Sequence, residues 1–255
     1  MRRFVFCTVA LLGLTVSAHA QAPATVAEPA KKPVKMAPQS AFVAAPKMGG
    51  DGKPQDKFIG SHDKFVKTAQ EGKAELVFLG DSITAGWGSQ KELWDKAFGQ
   101  YKPANFGIGG DRTQHVLWRI TNGELDGIKP KAVVIMIGTN NSSTDPAEDI
   151  AKGVTAIVET VRSKQPQAKI LLLAVFPRGL VETPNPQRDK LNQVNAAISK
   201  LDDGKNIHYL DIGSKFLQPD GGIAKEIMPD SLHLSPAGYQ IWADAISPKL
   251  AELMK

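Results

Sequence analysis

Four short clusters in this 255-residue sequence carry side chains able to do chemistry, and each follows a stretch that reads as a β-strand. The first is Gly80-Asp81-Ser82-Ile83-Thr84. A serine directly after a strand can point its hydroxyl into a crevice, with glycine allowing the sharp turn; a helix N-cap serine fits the same residues equally well. No Gly-x-Ser-x-Gly elbow occurs, which disfavours an ordinary α/β-hydrolase. A serine nucleophile needs a base, and histidine is the natural one near neutral pH. Of the five histidines, His19 lies in the N-terminal leader, His62 in a polar segment before the first strand and His208 in or beside the last strand. His115 falls in Thr113-Gln114-His115-Val116-Leu117-Trp118, which reads as a helix. Only His233, in Pro229-Asp230-Ser231-Leu232-His233-Leu234, has a carboxylate three residues upstream on a loop. Asp-x-x-His alone fits a surface turn; joined to a strand-end serine it becomes a triad candidate.

Acyl transfer also needs donors aimed at the developing oxyanion, each contributing roughly 3 kcal/mol to lowering the barrier. Gly109-Gly110 offers a backbone N–H unshielded by a side chain, and Asn140 offers an amide. Gly107-Ile108-Gly109-Gly110 also reads as a phosphate-cradling loop, although a dinucleotide fingerprint needs glycine at 112, where Arg112 stands. Asn140-Asn141 reads as a helix-capping turn for one of the two.

The elements that must position these groups alternate between two periods. Strands are expected over 75–79, 104–106, 132–137, 169–176 and 207–212. Their continuous apolar runs suit a parallel sheet covered on both faces. A helix is expected from Pro146 to Lys164, with Asp145 as N-cap, Glu148 as capping-box partner and a stripe of Ile150, Val154, Ile157 and Val161. Leu191, Val194, Ile198 and Leu201 repeat the stripe, and Ser235-Pro236 opens a final helix through Tyr239, Trp242 and Ile246. The pattern predicts a doubly wound, three-layer α/β/α domain with a five-stranded parallel sheet and its site at the C-terminal strand ends.

The N-terminus is different. Met1-Arg2-Arg3, the apolar run Phe4–Val16 and Ala18-His19-Ala20 make a secretory signal peptide over 1–20, cleaved after Ala20, with a retained anchor as the alternative. The single cysteine, Cys7, falls inside it, so no disulfide, cysteine metal site or cysteine nucleophile is expected afterwards. Residues 21–55 hold six of the 17 prolines and five lysines against Glu28 and Asp51, and read as an extended flexible linker. Residues 56–255 carry 24 basic and 24 acidic residues, so the formal net charge of +5 belongs to the N-terminal segments. A neutral domain is not expected to bind nucleic acid, and no stable membrane span is expected once the signal is removed.

Gly80-Asp81-Ser82, Gly110, Gly138-Thr139-Asn140 and Asp230-x-x-His233 occur in the order of the SGNH (GDSL) hydrolases, a superfamily this chain resembles. The stretch Asn105–Arg119, Asn122-Gly123-Glu124-Leu125, Pro177-Arg178-Gly179 and Asn185-Pro186 look much like the catalytic subunits of intracellular platelet-activating-factor acetylhydrolase. The resemblance spans roughly residues 75–250. It implies a flavodoxin-like SGNH fold over 56–255, with Ser82 as nucleophile, His233 as base and Asp230 as its orienting carboxylate. It also implies an oxyanion hole from the Ser82 and Gly110 N–H groups and Asn140, and an acyl pocket beside Ile83, Thr139 and Leu232. No metal or other cofactor is implied. The family's acetylhydrolases favour very short acyl groups and form dimers that bind a regulatory β-propeller protein, so a homodimer and a tethered interaction module are further readings.

Those relatives are cytosolic, whereas this N-terminus reads as an export signal to the periplasm or cell exterior. The expected substrate is therefore an acetylated carbohydrate, with a lipid or lysophospholipid ester as the alternative. His115 and Trp118 are expected to pack the second helix or line the site wall, Asp81 to hydrogen-bond the nucleophile turn, Arg178 to clamp a loop, and His62 to lie at the surface.

Overall fold

The computed structural model describes residue 1, residues 38–180 and residues 185–255. The signal peptide and the first part of the expected linker lie outside the described residues. Among the described residues no helix is long and apolar enough to cross a membrane.

Five strands, β1 (Leu76–Gly80), β2 (Pro103–Gly107), β3 (Ala132–Met136), β4 (Lys169–Leu173) and β5 (Ile207–Leu210), form one sheet in the order β2-β1-β3-β4-β5. All four pairings are parallel. Side chains alternate across the sheet. Val77, Leu79, Val133 and Ile135 enter one core; Leu76, Phe78, Val134 and Met136 enter the other. The strands β1, β3 and most of β4 are buried on both faces and need no polar alternation, which is why their runs read as continuously apolar; the edge strands β2 and β5 are only partly buried and carry Asn105 and His208.

The first core is closed by α1 (Asp56–Gln70), α4 (Thr113–Thr121), α5 (Ala147–Lys164) and α6 (Pro186–Ile198). The second is closed by α3 (Lys91–Phe98) and α7 (Pro236–Leu253), with Phe78, Trp87, Trp94, Phe98 and Trp242 in mutual aromatic contact. Between β1 and α3 lies the one-turn helix α2 (Ser82–Ala85).

Several expected boundaries shift. The strand expected over 169–176 pairs only to Leu173, because past Ala174 the Asn195 side chain takes over, accepting from the Val175 N–H at 2.8 Å and donating to its carbonyl at 2.9 Å. Asp145 is not the N-cap of α5: Pro146 keeps an extended ψ of 151°, so the helix begins at Ala147. The Asp145 carboxylate instead accepts from Thr144 and Asn141, and Glu148 pairs with Lys152. Leu201 sits in a half-buried 3₁₀ turn after α6 rather than in its buried stripe. Helix α1 is absent from the sequence reading because His62 occupies a core-facing position on it. His62 is buried, not at the surface, with its ring 5.0 Å from that of Trp118.

The expected flexible linker over 21–55 also needs correction at its C-terminal end. Residues 38–55 form an arm laid on the domain. Ala41 is buried, its carbonyl accepting the Thr113 hydroxyl at 2.5 Å. Gln39 bonds the His115 ring at 3.2 Å and the Pro46 carbonyl at 2.8 Å, and a bridge between Met48 and Pro54 closes the arm into a turn. Within 38–55 the chain instead follows a path stapled by side chains of α4. Gly153 on α5 makes room for it: a Cβ there would collide with the Ala41 carbonyl and stand 2.6 Å from the Thr113 hydroxyl.

Beneath the loop between β2 and α4 lies a charge network with no solvent access. Arg119 donates from Nε to Asp111 at 2.9 Å, pairs closely with Glu124, and donates to the Phe106 carbonyl at 3.0 Å. Burial pushes the carboxyl pKa of both Asp111 and Glu124 upward against the pull of Arg119. Two consequences can be measured. Arg119→Met removes the guanidinium that binds both buried carboxyl groups and is expected to cost roughly 3–5 kcal/mol in denaturant unfolding. Gly153→Ala, which in an open helix would stabilise by about 1 kcal/mol, is expected to lower the melting temperature here and to speed proteolysis within residues 38–55.

Candidate active site

The strand order reverses its direction of growth between β1 and β3, so the crevice outside their C-terminal ends is where a doubly wound sheet offers a site. Gly80 lies level with Gly107 on β2 and Met136 on β3. The chain therefore delivers Ser82, the Gly107–Arg112 loop and Gly138-Thr139-Asn140 to one edge.

Ser82 begins α2 with Asp81 as its cap. The Asp81 carboxylate accepts the Ile83 N–H at 3.0 Å, as expected of a residue holding the nucleophile turn. Complete burial pushes its pKa up to about 7. From the far side, the Tyr239 hydroxyl of α7 donates to the Ile83 carbonyl at 2.7 Å. The short helix is thus gripped at Ile83 through both its N–H and its carbonyl, and Ser82 is both nucleophile candidate and helix-opening residue.

His233 arrives on the loop before α7. Ser231 adopts a left-handed φ of 57°, costing about 1–2 kcal/mol for a residue with a Cβ, and the Gly179 N–H holds its carbonyl at 2.8 Å. This turn folds the Asp230 carboxylate back onto its own loop. One oxygen accepts the Leu232 and His233 N–H groups at 3.0 and 2.7 Å, and the other meets His233 Nδ1 at 2.7 Å. Burial opposes ionisation of Asp230, but its bonds to the His233 ring and to these N–H groups outweigh burial and hold its pKa below the usual carboxylate value. An ionised carboxylate only accepts, so Nδ1 carries the proton and Nε2 presents its lone pair. Nε2 lies 2.9 Å from Ser82 Oγ. The three residues therefore form a continuous Ser–His–Asp relay, the arrangement that can deprotonate a serine for attack on a carbonyl.

The candidate oxyanion donors leave the sheet on the neighbouring loops. The two asparagines divide their work: Asn141 accepts the Thr113 N–H at 3.0 Å at the start of α4, whereas Asn140 Nδ2 gives one hydrogen to the Asp111 carbonyl at 2.8 Å and keeps the other. The Ser82 and Gly110 N–H groups have no hydrogen-bond partner among the described residues. Gly110 has a φ of 73°, which favours glycine.

Of the three residues expected beside an acyl pocket, Ile83 is buried in the second core under the turn, and Thr139 is buried with its carbonyl and hydroxyl bound by Arg178 at 3.0 and 3.2 Å. Leu232 is half-buried next to His233. Arg178 is thus a loop clamp, as read. His115 belongs to the packing of α4 rather than to the catalytic relay. Its Nδ1 accepts the Arg112 N–H at 3.1 Å, and burial lowers its pKa to about 3.

The sequence reading missed Tyr239 as a brace, Arg119 beneath the oxyanion loop, and Lys47 from the arm. Lys47 and Tyr239 act across long gaps in the chain that only folding closes, whereas Arg119 closes the family-like stretch Asn105–Arg119 and binds partners close in sequence.

A family model, the GDSL-like Lipase/Acylhydrolase family, matches residues 78–241. Platelet-activating factor acetylhydrolase IB subunit alpha2 of Rattus norvegicus is 42% identical over 197 residues, covering 77% of this chain and 84% of the relative. Subunit alpha1 of Homo sapiens is 41% identical over 206 residues, covering 80% and 86%. Among solved structures, a GDSL-like lipase from Bacteroides thetaiotaomicron superposes with a TM-score of 0.61 at 20% identity, covering 75% of this chain and 97% of the other. A mutant acetyl-xylooligosaccharide esterase from Geobacillus Stearmophilus gives 0.54 at 20% identity, covering 70% and 93%. These two show a shared fold. With the sequence matches and the relay between the strand ends, they lead to one conclusion: the chain belongs to the GDSL-like lipase/acylhydrolase family and is a hydrolase acting on esters.

Proposed function

We propose that this protein is an exported serine esterase that removes short acyl groups, chiefly acetyl, from an O-acylated carbohydrate. The observation that carries the mechanism is the relay from Ser82 Oγ through His233 to Asp230, at 2.9 and 2.7 Å. Ser82 Oγ bonds to the ester carbonyl carbon as His233 Nε2 takes its proton. The oxyanion is held by the Ser82 and Gly110 N–H groups and Asn140 Nδ2. The carbon–oxygen bond to the alcohol then breaks, and His233 returns the proton to the leaving alcohol. Water attacks the acyl-Ser82 ester, again giving its proton to His233, and the free acid departs with Ser82 restored. No step calls for a metal or organic cofactor.

The preference for a small acyl group is supported by relatives named as acetylhydrolases. The carbohydrate alcohol is supported by the export signal read at 1–20 and by a polar cleft of about 360 Å³ beside Gly110, lined by Gln39, Gln55, Arg112 and Gln114. The acetyl-xylooligosaccharide esterase superposed above has its named substrate in this class. A lipid ester is the second reading, favoured by the 42% identity to platelet-activating factor acetylhydrolase subunits. A homodimer remains an expectation of the family resemblance, and sedimentation of the mature chain as a strict monomer would dismiss it. The tethered interaction module gives way to the enzyme, since every member of the expected site is present.

Hydrolysis of p-nitrophenyl acetate, butyrate and octanoate separates these readings. Acetate is expected to be turned over fastest, and Ser82→Ala is expected to lower kcat by roughly 10⁴-fold or more. Octanoate as the best substrate would replace the carbohydrate reading with the lipid one, and full activity in Ser82→Ala would remove Ser82 from the mechanism.

A further inference from the structure

The oxyanion loop is held from outside the domain's motifs. Lys47, on the arm, reaches across to donate from Nζ to the Gly109 carbonyl at 2.6 Å. Its backbone is fixed independently, its carbonyl accepting the Gln55 N–H at 2.8 Å. The ammonium is largely shielded, with a side-chain exposure of 20%, and lies 3.9 Å from the buried Asp111 carboxylate. It sits close over the loop: a Cβ on Gly110 would come within 2.8 Å of Nζ.

The Gly109 carbonyl and the Gly110 N–H belong to the same peptide unit. In a planar trans peptide the two point in opposite directions. A cation fastened to the oxygen therefore sets where the N–H points, and on a pair of glycines little else restrains that plane. The Asp111 N–H returns to the Ile108 carbonyl at 3.1 Å, and the Asp111 carbonyl holds Asn140 at 2.8 Å. Lys47 closes the remaining freedom between these two bonds. It also polarises the peptide, since a charged donor on the carbonyl strengthens the hydrogen bond its N–H can give. Burial lowers the Lys47 pKa, with Asp111 opposing that fall and Arg112, Lys57 and Arg119 adding to it.

We propose that Lys47 is a positioning residue for ester hydrolysis, orienting and polarising the Gly109–Gly110 peptide so that the Gly110 N–H is presented to the oxyanion. The assignment rests on the serine-esterase reading above. It makes the docked arm a working part of the site, acting on the transition state through a peptide; Lys47 also lines the polar cleft beside Gly110, so the test uses a p-nitrophenyl ester, which carries no sugar for that cleft to bind. Removing it should therefore be felt in the transition state and little in substrate binding.

The test is steady-state kinetics on p-nitrophenyl acetate with the mature chain. Lys47→Met is expected to lower kcat by about 10- to 100-fold, below the loss of a whole oxyanion donor, with KM within about twofold. Lys47→Arg, which keeps a cation of similar reach, is expected to recover most of the loss. Protease protection of residues 38–55 is read alongside, and the arm is expected to stay protected in Lys47→Met. A Lys47→Met enzyme within about twofold of wild type in kcat, a loss confined to KM, or a loss that appears only with an exposed arm each overturns the assignment while leaving the esterase reading intact. Turnover that survives Ser82→Ala, or none in the wild type, overturns the esterase reading and the role of Lys47 with it.

Discussion

Parallel pairing in register is the constraint on which the site depends, because it fixes the level at which three separate loops leave the sheet. Gly80 stands opposite Gly107 on one side and Met136 on the other, so the serine turn, the glycine loop and the asparagine turn emerge side by side. A one-residue slip of any of these strands would exchange its two apolar faces and shift its loop along the crevice. Both cores therefore guard the geometry of the chemistry: Val77 and Leu79 enter one and Leu76 and Phe78 the other, an assignment that a one-residue slip would exchange.

Above that level, polar groups that would be costly to bury alone satisfy one another. Arg119 has no solvent access and binds Asp111, Glu124 and the Phe106 carbonyl, joining the end of β2 to the loop that carries Gly110. A buried guanidinium of this kind contributes position more than net stability, since desolvation offsets much of its attraction. On the other side of the crevice, Tyr239 ties α7 to the Ser82 turn, so the element following His233 and the element bearing Ser82 are braced directly to each other. The hydrogen bond between Ser82 and His233 spans 151 residues of chain and is short because these braces converge.

The arm changes how the domain ends. Residues 38–55 have the composition of a linker, yet Gln39, Ala41 and Lys47 are each bonded to the α4 region or to the loop before it. The domain as folded thus begins well before the first residue that shows helical or strand periodicity.

What the sequence by itself determined lies where physics is local or the pattern is strong. The three central strands are legible because both-face burial demands unbroken apolar runs, and Asn140, Asp230 and His233 are legible because strand-end placement and short spacing bring their chemistry forward. Asp-x-x-His in particular encodes its own turn, the carboxylate bonding N–H groups two and three residues ahead before it reaches the ring. The tertiary structure alone decided what depends on partners far apart in the chain. Helix α1 was hidden because His62 interrupts its apolar stripe and packs against Trp118, more than fifty residues away. Asp145 lost its place as a cap because Asn141 and Thr144 claimed its carboxylate. Lys47 looked like one solvated lysine among several in a proline-rich tail. It acquires a role only when the folded sheet carries Gly109 to within 2.6 Å of its ammonium, a proximity that no local pattern can encode.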